Sequence, residues 1–534
     1  MHWEREKDMR EKAEEAIRTA AETYCLLLFV VLPLYMRDGF VMIGDIKYQF
    51  FRNMTVLFLV LLSVLQLLWY VSGGKEGHVR TLSRTDLFML GYLAAALLSF
   101  CFSMEHDTAF WGFSGWYMGL FSQLMFVWIY FILSRWCGNA EKIIWLCFFC
   151  ALTVMVLGIL NRYGFDPLGT MRGMDSGTWE AVHLLSTIGN QNWYCGYISV
   201  AASACFYFAY TGGKNVRKAG LAGCLITFLT ILVQGSESGY LIPLSILAVL
   251  FVDALRSRKQ MLRFLQIVIC YPAAALLGVQ GIRLRGLTLA EDGSLQGGLF
   301  WKGWAALFVL LGGSILALYI REKSGKKDLL ESGRVRRAAL TMCGILAVLG
   351  VSLFLLCQVS DTVWTALGGR DLLRITDEWG NGRGALWRIS WEYFRQSPWY
   401  RKVFGAGPDC FYHAVYSVFA VNDVIRPMGQ WETAVYANAH NEWLNMLINQ
   451  GVLGLAGYAG VFGVSFVRLW KIRRQKKEAY WGILAIAGYC VHATVSFQQT
   501  VSTPLAFAVL GISEAVLRRS SAAKEDQQME KAFG

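Results

Sequence analysis

Apolar residues run along this chain in long unbroken blocks, separated by short clusters rich in Arg, Lys, Gly and Ser. A bilayer core of about 30 Å takes roughly 20 apolar residues in a helix. By that measure about fourteen spans are predicted, near residues 24–44, 53–73, 86–103, 115–134, 143–160, 193–211, 220–234, 239–253, 264–281, 299–320, 338–358, 442–467, 479–497 and 504–517. The pairs 220–234/239–253 and 479–497/504–517 are short and closely joined. Each is also compatible with a re-entrant hairpin, and the count then falls to twelve. The fold class is therefore an all-α polytopic membrane protein with about 12–14 transmembrane helices. Its parts are a charged helical segment 1–23, a bundle 24–358 of about eleven spans, a polar loop 359–441, closing helices 442–517 and a tail 518–534.

The long polar loop does not read as a linker. It is poor in Pro and Ser and contains Trp387, Trp391, Phe394, Trp399, Tyr400 and Trp431. Trp387, Trp391 and Phe394 fall at i, i+4 and i+7, one face of a helix. Arg388, Glu392 and Arg395 form a second stripe at the same spacing, and Ser397-Pro398 should end that helix. Such a helix suits a membrane surface, and it equally suits a small folded cap; the two are compatible.

Composition agrees with a membrane protein. The 534 residues are 55% hydrophobic and only 16% charged, where soluble chains have about 25% charged. Phe, Trp and Tyr make 14%, enough for aromatic belts at both interfaces. The net charge of +12 does not point to nucleic acid, because its Lys and Arg lie in short loops between apolar runs. The 13 Cys mostly sit inside those runs as small hydrophobes, and no disulfide framework is implied. The charged first 23 residues lack the apolar core of a signal peptide.

Charge asymmetry sets the orientation. With the N-terminus inside, cytoplasmic segments hold about 34 of the 50 Lys and Arg. Both termini are then cytoplasmic, and 359–441 is an extracytoplasmic loop, as is 161–192.

Chemistry collects where that loop re-enters the membrane, at Asn438-Ala-His440-Asn441-Glu442. Polar groups at such a border are expensive to hold and tend to mark a site. Asn438 is placed to cap a helix starting at Ala439, with His440 in its first turn. There the helix dipole disfavours imidazolium and favours a nearby anion, which suits a neutral general base beside a phosphate. A structural histidine at a helix start explains the same residue equally well. Beyond it, Gly451, Gly454, Gly457, Gly460 and Gly463 recur at every third position, a density that lets helices approach closely in lipid.

Guanidinium groups bind phosphate bidentately and stay charged. The outer segments offer Arg370, Arg374, Arg383, Arg388, Arg395, Arg401 and Arg426, with Arg162 and Arg172 in the shorter loop. Headgroup contacts, or salt bridges to Asp371, Asp377, Glu378 and Glu392, are the more economical reading of any one of them. Arg383 stands apart, because Gly380-Asn-Gly382-Arg383-Gly384 gives it a backbone capable of close approach. Glu237, in Gln234-Gly-Ser236-Glu237-Ser238-Gly239, is an ionisable group at another outer border; it either pairs with an arginine or faces water. No phosphate loop, HExxH, paired-Cys spacing or tight carboxylate cluster occurs, so neither a metal site nor a cofactor is expected.

Together these motifs resemble the O-antigen ligase and O-antigen polymerase family of polytopic membrane glycosyltransferases. His440-Asn441, nine residues, Gly451, two residues and Gly454 match that family's signature. Gly382-Arg383-Gly-Ala-Leu386-Trp387, Ser397-Pro398 and Phe404-Gly405-Ala-Gly407-Pro-Asp-Cys-Phe411 are similar to its loop motifs. Gly189-Asn190-Gln191-Asn192 is similar to its Gly-Asn-x-Asn. The resemblance covers about residues 85–517. It implies a GT-C-like, lipid-dependent fold in the bacterial cytoplasmic (inner) membrane. It implies transfer of a glycan from a polyprenyl (undecaprenyl) diphosphate to an acceptor hydroxyl on a glycan, lipid or protein. His440 and Asn441 would be catalytic. Arg383, Arg388 and Arg401 would bind diphosphate, with Asn438, Glu442, Asn190, Asn192 and Glu237 in support. The chain departs from the family at Gly115-Trp116-Tyr117, where Trp replaces an expected Arg, and at Ser236-Glu237-Ser238, where Glu does.

Other classes remain as alternatives: a flippase or transporter of lipid-linked glycans, a protein O-oligosaccharyltransferase, or an accessory relative with a degenerate site. A flippase predicts charges through the spans and an internal repeat, and the sequence has few of the first and no convincing second. A degenerate relative predicts loss of the loop His and Arg, and both are present.

Overall fold

The computed structural model describes residues 2–72, 82–172, 183–285, 298–324, 333–369, 373–417 and 436–533. Arg370, Asp371, Arg426 and Trp431 lie outside them. Among the described residues the chain is almost wholly helical, and its strands are one two-residue pair, Leu184–Leu185 with Gly189–Asn190. It is an all-α polytopic membrane protein. Among the described residues ten helices are long and apolar enough to cross a membrane, and Leu120–Trp136 and Ala479–Val495 are shorter apolar helices. The expected pair at 220–234 and 239–253 is two helices, Lys214–Val233 and Glu237–Ala254, of 20 and 18 residues. The run expected as one span at 193–211 is split at Ala202 into Gln191–Ala201 and Ser203–Thr211.

The charged N-terminal segment and the first apolar run form one rod, His2–Leu26, continued by a π turn at Leu27–Val31 and ending at Leu34. Expectation placed that end near residue 44. Lys47 explains the early stop. Its buried ammonium donates to the carbonyls of Leu32 (3.1 Å), Pro33 (3.0 Å) and Tyr35 (2.8 Å), oxygens that a helix C-terminus leaves unpaired. A buried cation needs such partners.

Successive helices alternate between two ends of the bundle. At one end, ion pairs join helices distant in sequence: Arg473 to Asp253 at 2.8 Å, Lys477 to Glu141 at 2.9 Å, and Arg468 to Glu514. At the other end lie residues 35–42, 102–119, 234–236 and 496–502, with the cap formed by the described residues 360–369, 373–417 and 436–441. The large core runs through the bundle between the two ends. The described side chains of Gly298–Lys323 and Gly333–Val359 are mostly apolar and mostly exposed, as expected of helices whose solvent is lipid.

The cap has its own core, built from Ala109, Ile389, Tyr393, Ala406, Phe411, Ala414, Ala439 and Ile448. Its main helix, Trp379–Gln396, ends at Ser397 as the Ser-Pro pair predicts. The buried stripe is Leu386, Ile389, Ser390 and Tyr393, one helical step away from the expected aromatic stripe. Trp391 is 57% exposed. Trp387 instead turns its indole N–H to the Ala439 carbonyl at 3.1 Å, tying the cap to the histidine segment.

Candidate active site

The helix after the cap, Glu442–Ile472, starts at Asn441, whose Oδ1 accepts from the Leu444 amide at 3.1 Å. The expected start at Ala439 with Asn438 as cap is therefore displaced by three residues. The Asn438 side chain instead accepts from the His440 amide at 3.0 Å, and the Ala439 amide donates to Asn445 Oδ1 at 3.2 Å. These bonds form an Asx turn that lifts His440 out of the helix. His440 has φ +46°, a left-handed conformation that costs a side-chain-bearing residue roughly 1–3 kcal/mol. The ring is half-buried and meets Phe497 edge to face, with centroids 5.0 Å apart. Burial, and then the charge of Arg383, push its pKa down to about 3, so the imidazole is neutral.

Arg383 follows three left-handed residues, Gly380, Asn381 and Gly382. That turn folds its side chain back, and Nη1 donates to the Gly380 carbonyl at 2.8 Å. Gly384 lets the backbone pass the cap's own chain, since a Cβ there would lie 1.8 Å from the Thr376 carbonyl oxygen. The Arg383 Nε–H is buried with no protein acceptor. Burial lowers its pKa, and the neighbouring Glu237 carboxylate opposes that shift.

Glu237 is exposed, in the short turn Glu237–Tyr240. Ser236 donates to Asn192 Oδ1 at 2.9 Å, and Asn190 caps Gln191–Ala201 by accepting from the Asn192 amide at 2.8 Å. Arg162 joins this group by donating to Gln191 Oε1 at 3.3 Å and to the Gln234 carbonyl. Glu442 is buried below, between the hydroxyls of Tyr458 and Tyr489. The structure thus gathers His440, Arg383, Glu237, Asn190 and Asn192 from four separate stretches of chain.

Arg388 and Arg401 are engaged elsewhere. Arg388 makes a two-pronged pair with Asp377, at 2.8 and 2.7 Å. Arg401 donates to the carbonyls of Phe102 and Gly405. Two residues that sequence reading passed over stand near the site. His492, buried at the end of Ala479–His492, lies within reach of the Arg383 charge. A lone histidine inside an apolar run was the signal. Buried Asp409 accepts from the Phe113 amide at 2.7 Å and the Met118 amide at 2.9 Å.

The family glycines hold the histidine helix against the cap. Gly451 breaks the helix with φ +67° and ψ −169°. The carbonyls freed just before the break are taken by the amides of Ala406 (3.0 Å) and Gly407 (2.9 Å) and by the Ser99 hydroxyl (2.7 Å). A Cβ on Gly451 would lie 2.2 Å from the Val403 carbonyl oxygen. Further on, Gly457 and Gly460 admit the backbone of Tyr92 and the ring of Phe88, whereas Gly463 faces open space.

Residues 302–459 match the family model described as O-antigen ligase. That match, over less than half of the chain, supports an O-antigen ligase family assignment. It includes Arg383, His440, Gly451 and Gly454, and leaves Asn190 and Glu237 outside. No curated protein matches the chain. The match supports a membrane glycosyltransferase of the O-antigen ligase or polymerase type.

The geometry brings two chemical groups within electrostatic reach of each other. One is an imidazole that burial and a nearby cation keep deprotonated, as a general base must be. The other is a guanidinium with an unused N–H, able to take an anionic oxygen. Among the described residues no group of three or more His, Cys, Asp or Glu stands together.

Proposed function

We propose that this protein transfers a glycan from a polyprenyl (undecaprenyl) diphosphate to an acceptor hydroxyl at the outer face of the bacterial cytoplasmic membrane. The neutral His440 beside Arg383 carries the reading. The acceptor oxygen attacks the anomeric carbon, and the bond from that carbon to the diphosphate oxygen breaks. His440 takes the proton from the acceptor hydroxyl. The diphosphate leaves as an anion stabilised by Arg383, as positioned cations stabilise developing charge elsewhere.

Asn441 acts through the helix cap that fixes where His440 stands, and Asn438 through the turn that lifts it. Glu442 anchors the first helical turn in the bundle. Asn190, Asn192 and Glu237 line the approach. Arg388 and Arg401 reach diphosphate only by releasing their present partners, so Arg383 is the principal anion ligand. The Lys and Arg asymmetry supports the orientation, with the basic loops and both termini cytoplasmic and the His440 end extracytoplasmic. The GT-C-like architecture remains part of this proposal.

The test is glycan transfer in membranes supplied with polyprenyl-diphosphate-linked repeat units. His440→Ala, present at the normal level, should transfer none. Full transfer by that variant would remove the base from the proposal. The species that accumulates on deletion tells polymerase from ligase: single repeat units indicate the first and long lipid-linked chains the second.

A further inference from the structure

We propose that Trp116 and Trp193, linked to His440 through the buried Phe497, form a stacking platform for a sugar ring of the acceptor, so that the acceptor hydroxyl belongs to a glycan. The assignment of this sugar to the acceptor rests on the transferase reading above.

The aromatic groups run outward from His440 as a track. Phe497 meets the imidazole at 5.0 Å. Trp116 meets Phe497 edge to face at 4.6 Å, and Trp193 lies 5.9 Å from Trp116. Phe497 is buried, while both tryptophans are half-buried. Trp193 packs against the bundle core on one side, and both indoles keep part of their surface exposed.

The backbone fixes both indoles. Trp116 sits in a turn with three positive φ angles, Gly112 (+94°), Gly115 (+87°) and Tyr117 (+58°). Such conformations persist where surrounding structure enforces them. Here Asp409 of the cap takes the Phe113 and Met118 amides on either side, and Tyr117 stacks on Tyr48 at 4.4 Å. Trp193 fits because residue 44 is glycine; a Cβ there would lie 2.6 Å from the indole.

The charges lie on the other side. Arg162 donates to the Gln234 carbonyl, and the turn that follows packs on Cys195, whose Sγ would lie 3.3 Å from a Cβ on Gly239; Cys195 is two residues after Trp193 on one helix. At about 100° per residue those two side chains point in nearly opposite directions. The diphosphate therefore belongs on the Cys195 side and an uncharged ring on the Trp193 side. A pyranose suits the latter, because the C–H bonds on its face present weakly positive edges to the negative face of an indole. Asn190 and Asn192, at the same helix start, supply polar groups for ring hydroxyls.

Binding is measured by calorimetry on nanodisc-embedded protein, with oligosaccharides released from the source cell's own surface polysaccharide as the probe. Trp116→Ala should weaken binding about tenfold or more, and Trp116→Phe, which keeps a ring, by about threefold. Trp391→Ala, at an exposed indole of the cap helix outside the site, should bind as the wild type does. In transfer assays Trp116→Ala should raise the KM for acceptor and leave the KM for lipid-linked donor unchanged. Equal affinity for wild type and Trp116→Ala, with both proteins folded by thermal unfolding, would overturn the platform. So would a wild type that binds no oligosaccharide. Oligosaccharide binding that depends on Trp116, in a protein that transfers no glycan, would uphold the platform and sink the transferase reading instead.

Discussion

The Arg383 guanidinium stands close enough to His440 for its charge to disfavour a second positive charge on the imidazole. Burial is the larger cause and the cation the second. A base with a pKa near 3 is weak, so the pair looks poorly suited to deprotonating a sugar hydroxyl. The donor resolves this. Diphosphate bound at Arg383 would cancel the cation's field and add negative charge beside the ring, raising its basicity as the donor docks. Before the donor binds, the histidine stays uncharged and does not compete with Arg383 for anions.

This relationship predicts a difference between two pH profiles. The profile of kcat/KM reports the free enzyme and that of kcat the bound complex. His440 in the free protein is neutral above about pH 3, so it contributes no acid limb to kcat/KM between pH 5 and 8. In kcat the acid limb should move up toward the ordinary imidazole range. Coincident limbs in the two profiles would rule out charge cancellation by the donor.

Arginine substitutions should separate the anion ligand from its neighbours. Arg383→Lys keeps the charge and loses the fork, and transfer should fall about 10- to 100-fold at unchanged protein level. Arg388→Ala breaks an exposed pair with Asp377, worth about 0–1 kcal/mol, and should cost less than about threefold. The measurement is initial rate at saturating acceptor. Equal losses in the two variants would place both arginines on the diphosphate.

Sequence pattern located the spans and the loop histidine because each has a local cause, about 20 apolar residues or a polar cluster at a membrane border. The helix start was misread by three residues because Asn438 and Asn441 are both good caps. The choice between them depends on Asn445, which takes the Ala439 amide. Which stripe of the cap helix is buried was not legible in the sequence, because Tyr393 and Ile389 share a core with Phe411 and Ala414 that only the tertiary fold assembles. His492 was hidden because its nearness to Arg383 joins segments far apart in the chain.

Asp409 should make stability pH-dependent. Burial raises its pKa from 3.8 to about 7, and the hydrogen bonds from Met118 and Phe113 only partly offset this. Between those values the folded protein holds a proton that the unfolded chain has released, so stability falls as pH rises from about 4 to 7. Asp409→Asn keeps an oxygen for both amides and cannot ionise. Its apparent unfolding midpoint should vary less over that range than that of the wild type. Identical pH slopes would mean that Asp409 ionises normally in the fold.

Gly451→Ala and Gly463→Ala form a matched pair on one helix. At residue 451 the backbone is left-handed, and the new Cβ would lie 2.2 Å from the Val403 carbonyl oxygen and 2.7 Å from the Gly405 amide. Strain of roughly 1–3 kcal/mol adds to that clash. The cap strand bearing Ala406 and Gly407 would have to leave the carbonyls of Ile448 and Asn449, so Gly451→Ala should lower both abundance and activity. At residue 463 nothing lies within 4 Å of the new Cβ. In a helix interior alanine is favoured over glycine by about 1 kcal/mol, so Gly463→Ala should be neutral or slightly stabilising. Detergent-extracted yield and thermal midpoint distinguish the two. A well-folded, active Gly451→Ala would show that the helix does not need this break to hold His440 in place.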